Sequence, residues 1–243
     1  DWNAAAIAAE GTVRAHLQKK KRECHSRLCY GPSMESILIG VAAFAGGALL
    51  WLPFEYGLHL SFHVLKGKGF ASRAHLDHHV HASWHFDPII TLAWLGVVLF
   101  GIGFSFALAA ITSTVFGIAF GAGWTVGYFF YEWHHRQSHL RGPRNRWEAW
   151  LRKNHFQHHF GHPMKNQGVT ASIFDRLFGS YDMPEKVKVP RRLAMPWLFD
   201  SEGNLLAEYQ DDYEIVGTST STDERQRQID NARAYASRTP EPV

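Results

Sequence analysis

The chain has 243 residues, a net charge of +3 with histidine neutral, and a mean hydropathy of −0.21. That length suits one domain, or one membrane unit with polar ends. Only two cysteines occur, Cys24 and Cys29, and a C-x4-C pair without a second pair argues against a zinc knuckle; free thiols on a reducing face are expected.

Residues 1–33 read as a polar, basic lead with a short helix over Ala4–Gln18, followed by Lys19-Lys20-Lys21-Arg22. That run suits anionic lipid and a solvated tail equally. No secretory signal is expected, because the first apolar stretch lies too far in and lacks a cleavage pattern. A first span at 36–63 is long enough to cross a bilayer, with Pro53 as an expected kink. Glu55, His59 and His63 then recur every four residues on one face. If 36–63 is a single span, the Lys run falls on the outer side. Either a further span precedes it or the segment is re-entrant.

Residues 64–88 read as a polar loop that includes His75, His78, His79, His81 and His85. Spans at 90–111 and 114–131 form a hairpin turning at Thr112-Ser113-Thr114, with Gly101, Gly103, Gly117, Gly121 and Gly123 allowing close helix approach and permitting a homo-oligomer. Gly101-x-Gly103 lacks the strand–turn–helix context of a nucleotide site. Residues 132–182 hold the remaining histidine clusters among Arg136, Arg141, Arg144, Arg146 and Arg152. Basic flanks place this side in the cytoplasm. Because these basic residues flank spans and form no patch with base-stacking aromatics, nucleic acid is not an expected partner. Residues 183–243 read as a polar tail, peripheral from Thr218 onward, in which Trp197-Leu198-Phe199 is either an interface anchor or ordinary packing.

Ten of the sixteen histidines fall in four clusters: His59/His63, His75/His78/His79, His135/His139 and His155/His158/His159. A lone histidine is usually a satisfied core residue, and a histidine run can be a solvated tract. These clusters are separate and differ in sequence. Residues three and four apart share a helix face, and neutral imidazole is the commonest metal ligand. One metal cannot use ten ligands, but two can share them. The spacing does not identify the metal, since imidazole suits iron, zinc, copper and nickel.

From about Glu55 to Tyr181 the chain resembles the fatty acid hydroxylase/sterol desaturase superfamily. The similarity rests on four boxes in order (HxxxH, HxxHH, HxxxH, HxxHH) around an apolar hairpin. It is supported by Asn166-Gln167-Gly168-Val169-Thr170 and by FDRLFGS at 174–180, similar to the family's WDxxFGT. The resemblance implies an all-α integral membrane protein with a cytosolic, histidine-rich metal-binding cap. It implies two iron ions held by the ten histidines, with zinc as a substitute occupant. O2 would be co-substrate, and a separate electron-transfer protein of ferredoxin or cytochrome type would supply electrons. The expected reaction is hydroxylation of a lipid or fatty-acyl chain. Desaturation or carotenoid hydroxylation on the same centre is the nearest rival, and a non-redox zinc-stabilised membrane scaffold is the rival of another class. Glu55, Glu132 and Asp175 are expected to accept a hydrogen bond from a ligand's second nitrogen, or in the case of the two glutamates to enter the ligand set. For Asp77 a plain helix-end charge is favoured. His81, His85, His134 and His162 fall outside the ten.

Overall fold

The structure is a computed structural model, and it describes Gln18, residues 33–82 and residues 88–217. The Ala4–Gln18 helix (apart from Gln18), the Lys19–Arg22 run, both cysteines, His85 and the segment from Thr218 lie outside the described residues. Residues 1–42 and 43–243 separate into two compact units, and apart from the first residues of helix α1 the architecture below is that of the second.

The fold is all-α in its main elements. Helix α1 (Met34–Val64) runs through Pro53. Helix α2 (Phe70–His81) occupies the stretch read as a polar loop. Helices α3 (Pro88–Ile111) and α4 (Thr114–Leu140) form the expected hairpin. Its turn is fixed by Ser113, whose hydroxyl accepts from the Phe116 amide and so satisfies one free donor of the first turn of α4. Helix α5 (Arg146–Phe156) starts on an Asn145 cap and passes directly into a π-helical turn, Gln157–Gly161. Helix α6 (Ile173–Phe178) is short.

Among the described residues two helices are long and apolar enough to cross a membrane: α1, and α3 over Thr91–Ile111. The third expected span, 114–131, falls in α4 but is not among them. Its Gly, Thr, Trp and Tyr content dilutes its hydropathy. Those small residues serve packing instead. A Cβ on Gly123 would meet the Phe44 carbonyl oxygen of α1 at 2.0 Å, and one on Gly121 would meet the Gly101 oxygen of α3 at 2.3 Å. Gly101 and Gly117 are equally crowded, but Gly103 has open space around it and takes no part in the close approach. Gly123→Val is therefore expected to force α1 and α4 apart, at a cost of about 1–3 kcal/mol, read as a lower melting temperature in detergent.

Residues 183–217, read from composition as polar tail, are folded. Strands β1 (Val187–Pro190) and β2 (Tyr213–Val216) pair in parallel, with Val187 opposite Tyr213. Val187 and Val189 face inward and Lys188 outward, the two-residue alternation of a half-buried strand. They form a core with Phe156, Phe160, Met195, Leu198 and Tyr213, against which Trp197 and Phe199 pack. This settles Trp197-Leu198-Phe199 as packing. The apolar runs are too short and too interrupted by charge for composition to reveal them.

A buried ion cluster fastens α4 to α5. The Glu148 carboxylate receives both Arg141 guanidinium nitrogens at 2.9 and 3.1 Å, and Arg152 lies 3.5 Å away. Arg152 is almost wholly buried and donates to the Arg141, Glu148 and Gln137 carbonyls. The Arg141 hydrogen bonds hold the Glu148 carboxyl down from 4.5 to about 2. A depressed carboxylate stabilises the fold fully above its unfolded value and loses that contribution as pH falls through the folded one. Glu148→Ala should cost about 3–5 kcal/mol by leaving Arg152 buried without a counter-charge. The difference between wild type and variant in thermal melts should hold from neutral pH down to about 4.5 and shrink towards pH 2.

Candidate metal centre

The histidine clusters lie towards helix C-terminal ends or in the turn that follows, except for His75 in the middle of α2. His59 and His63 lie on the last turns of α1, and His135 and His139 on the last turns of α4. His75, His78 and His79 lie on α2, while His155 ends α5 and His158 and His159 sit in the π-turn. A π-turn widens the helix locally, a distortion found often at functional sites.

The ten histidines come together as two groups of five. One is His59, His63, His75, His79 and His158; the other is His78, His135, His139, His155 and His159. Within each group the candidate donor atoms all lie within 4.8 Å of one another. Each group takes one HxxxH pair, the outer two histidines of one triple, and the middle histidine of the other triple. Helix geometry explains the split. Residues i and i+4 diverge by about 40° around the axis, whereas i+3 lies about 100° from i+4. So His75 and His79 point together and His78 turns to the second group, while His158 makes the reciprocal crossing. His79 and His159 stack between the groups at 4.0 Å.

Three rings are oriented by main-chain carbonyls. Nδ1 of His59 donates to the Gln167 oxygen (2.7 Å), Nδ1 of His158 to the Lys165 oxygen (2.8 Å) and Nδ1 of His139 to the Ala82 oxygen (3.0 Å). A carbonyl can only accept, so each Nδ1 carries the proton and each Nε2 presents a lone pair to its group. The imidazoles of His75, His79, His155, His158 and His159 are held well below the ordinary histidine value, first by burial and then by one another. They are therefore neutral at physiological pH, the state that can ligate.

A cation fits this donor set. In the first group Nε2 atoms form a closed ring: His63 to His158 at 3.1 Å, His158 to His79 at 3.1 Å, His79 to His75 at 3.2 Å and His75 to His63 at 3.0 Å. In the second, His78 lies 3.1 Å from His135 and His139 lies 2.9 Å from His155. Nitrogens bound to one ion at about 2.0–2.1 Å would lie about 2.9–3.4 Å apart, depending on the coordination geometry. Hydrogen bonds between the rings do not satisfy the set. Nε2 of His59, Nδ1 of His63 and of His155, and both nitrogens of His159 are buried without a partner. A bound ion would satisfy Nε2 of His59 and one nitrogen of His159, whereas His63 and His155 already turn Nε2 to their groups, so their Nδ1 atoms lie on the far side of the rings.

The acidic residues behave differently from expectation. Glu55 is buried one turn before His59, but its carboxylate accepts from the Thr170 amide (2.8 Å) and hydroxyl (2.6 Å) and bonds no histidine ring. Glu132 lies in neither group and faces Trp94 and Arg136. Asp175 is fully buried and acts at one remove. Its oxygens accept from the Gln167 and Gly168 amides (both 2.8 Å) and from Ser180 Oγ (2.7 Å), and so fix the peptide whose carbonyl holds His59. Asp77 is exposed beside His81, as a helix-surface charge. His81, His134 and His162 lie outside both groups.

Sequence reasoning missed the segment 163–170 as a clamp. Asn154 Nδ2 donates to the Gly168 carbonyl (2.9 Å), and Asn166, in the left-handed region at φ 54°, accepts from the Asp182 amide (2.8 Å). Gln167 Nε2 donates to the Pro163 carbonyl (2.8 Å). The available signal was the polar Asn166-Gln167 pair, which comes shortly after the last histidine box and is followed by Gly168.

Comparison with known proteins agrees with this centre. Residues 44–180 match the fatty acid hydroxylase family, and the chain belongs to the fatty acid hydroxylase/sterol desaturase superfamily. A dihydroceramide fatty acyl 2-hydroxylase of Arabidopsis thaliana is 30% identical over 151 residues, covering 60% of this chain and 62% of the plant protein. A second Arabidopsis dihydroceramide fatty acyl 2-hydroxylase is 32% identical over 145 residues, covering 56% and 59%. The chain thus spans about three fifths of the length of these curated relatives. No solved structure matches it.

Proposed function

We propose that the protein is an integral membrane di-iron enzyme that hydroxylates a lipid acyl chain, with O2 as co-substrate. The observation that carries this reading is the convergence of ten histidines, eight buried and His75 and His78 half-buried, into two adjacent five-nitrogen groups. Five donors exceed the four of a closed structural zinc site, which disfavours the scaffold reading. In this proposal His59, His63, His75, His79 and His158 hold one ion, and His78, His135, His139, His155 and His159 the other. Two iron ions would supply the redox chemistry needed to split O2 and functionalise an unactivated C–H bond.

The chain's own contribution is orientation and exclusion. The carbonyls of Gln167, Lys165 and Ala82 fix which ring nitrogen faces inward. Burial keeps the rings neutral and excludes water from the oxidant. The net change is R–H + O2 + 2e⁻ + 2H⁺ → R–OH + H2O, so a separate electron donor is required. The similarity to dihydroceramide fatty acyl 2-hydroxylases favours carbon 2 of a ceramide-type acyl group as the position oxidised. The active face is the cytoplasmic one, towards which the Arg-rich flanks of α4 and α5 point by the positive-inside rule.

The test is expression of the chain with a compatible reductase, followed by lipid mass spectrometry. One added oxygen on the acyl part of a ceramide is the expected product. Loss of two hydrogens would select desaturation instead, and unchanged lipids in a host shown to supply both electrons and ceramide would contradict the proposal.

A further inference from the structure

Helix α6 has its polarity inverted. Its one acidic side chain, Asp175, is fully buried, while Ile173, Leu177 and Phe178 are 59%, 68% and 63% exposed. Ile173 and Leu177 are one turn apart on a single face, and Asp175 points to the other side. A helix packed on a water-facing cap would bury the apolar face and expose the carboxylate. Apolar side chains clustered outward in this way mark a contact surface rather than ordinary scatter.

What covers this surface follows from its neighbours. Tyr56 of α1 packs against Phe178 (ring centroids 5.3 Å) and Phe174 (6.3 Å). Seven residues before Tyr56 on the same face of α1, about 10 Å along its axis, is Leu49, itself 63% exposed. Through Tyr56, α6 therefore packs directly on a helix apolar enough to cross a membrane, beside the exposed apolar side chains of that helix. Two cations flank it. Arg176 lies over the Tyr181 ring at 3.8 Å, and Lys165 Nζ is held at 3.0 Å by the Gly179 carbonyl. Apolar side chains bordered by cations and an aromatic ring suit the boundary between acyl chains and phosphate headgroups.

We infer that α6 is an interfacial foot by which the cap sits in the phospholipid headgroup region, with Ile173, Leu177 and Phe178 in the acyl boundary and Lys165 and Arg176 among the phosphates. The inference rests on the membrane placement proposed above. It also gives the two faces of α6 separate tasks: one meets lipid, and the other, through Asp175 and the Gln167 carbonyl, holds His59.

The test uses the full chain carrying C24S and C29S, with single cysteines at Leu177, Ile173, Leu99 or Glu202 labelled with an environment-sensitive fluorophore. Each labelled protein is reconstituted in phosphatidylcholine vesicles bearing a spin-label quencher either near the headgroup or deep in the acyl chain. Leu99 is exposed on α3 and reports whether the chain is in the bilayer, and exposed Glu202 reports the aqueous cap. The expected result is loss of emission at Leu177→Cys and Ile173→Cys with the shallow quencher, at Leu99→Cys with the deep one, and at Glu202→Cys with neither. Quenching at Leu99→Cys without any at both α6 positions would overturn the foot and leave the face to a protein partner or a second copy. No quenching at Leu99→Cys would overturn the membrane placement itself, and the foot with it.

Discussion

Replacing His158 with Ala is expected to empty one metal position and stop turnover. His158 is fully buried, and its Nε2 lies 3.1 Å from both His63 and His79, so it closes the nitrogen ring of the first group. Its orientation is set from the far side by the Lys165 carbonyl. Metal content should fall from two ions per chain to one, because the second group keeps all five of its histidines. Even loss of a partner outside the ligand set costs about 10–100-fold in such centres, so loss of a ligand should reduce hydroxylation by more than about 100-fold. His81→Ala, at an exposed position outside both groups, should change neither quantity. Elemental analysis and product formation, measured on the same preparations, check both expectations.

Asp175→Ala is expected to produce the largest loss of stability from any acid near the centre. The carboxylate is fully buried and receives three hydrogen bonds, from the Gln167 amide, the Gly168 amide and Ser180. Each buried donor left without a partner costs about 1–3 kcal/mol. After partial collapse of the site a total of about 3–5 kcal/mol is expected, which is exceptional for a single substitution. Asp175→Asn keeps one acceptor and should cost about half as much. The same carboxylate positions the peptide that orients His59, so both variants should weaken metal binding in the first group by about 10–100-fold. Binding in the second group should be unaffected. Denaturation curves and metal titrations of the two variants separate these effects. Equal loss from both groups would show that Asp175 acts only on overall folding.

The ligand candidates were legible because the chemistry is written in one residue type at helical spacing. His59 with His63, and His135 with His139, could be paired from sequence alone. The outer two histidines of each triple lie about 40° apart and could be paired in the same way, but the group that the middle one joins could not. Which way His78 and His158 turn depends on where α1 and α4 stand relative to α2 and α5, and that is a tertiary fact. The partners of the second nitrogens were illegible for a different reason. Carboxylates were the natural expectation, yet Gln167, Lys165 and Ala82 use main-chain oxygens, which every residue possesses. Glu55 shows the limit of periodicity. Its place on the histidine face was readable, but its partner Thr170 lies 115 residues away. The hairpin of α3 and α4 was visible in its uncharged run and its turn residues. The β1–β2 layer was hidden because its inward valines alternate with Lys188 in a segment only four residues long.

The most direct test of the two-group centre is a metal count on the purified full chain expressed with iron in the medium, combined with X-ray absorption at the metal edge. Two iron ions per chain, each surrounded by nitrogen scatterers with imidazole character, is the predicted result. A single ion per chain, or zinc in a four-coordinate site after iron-replete expression, would contradict it.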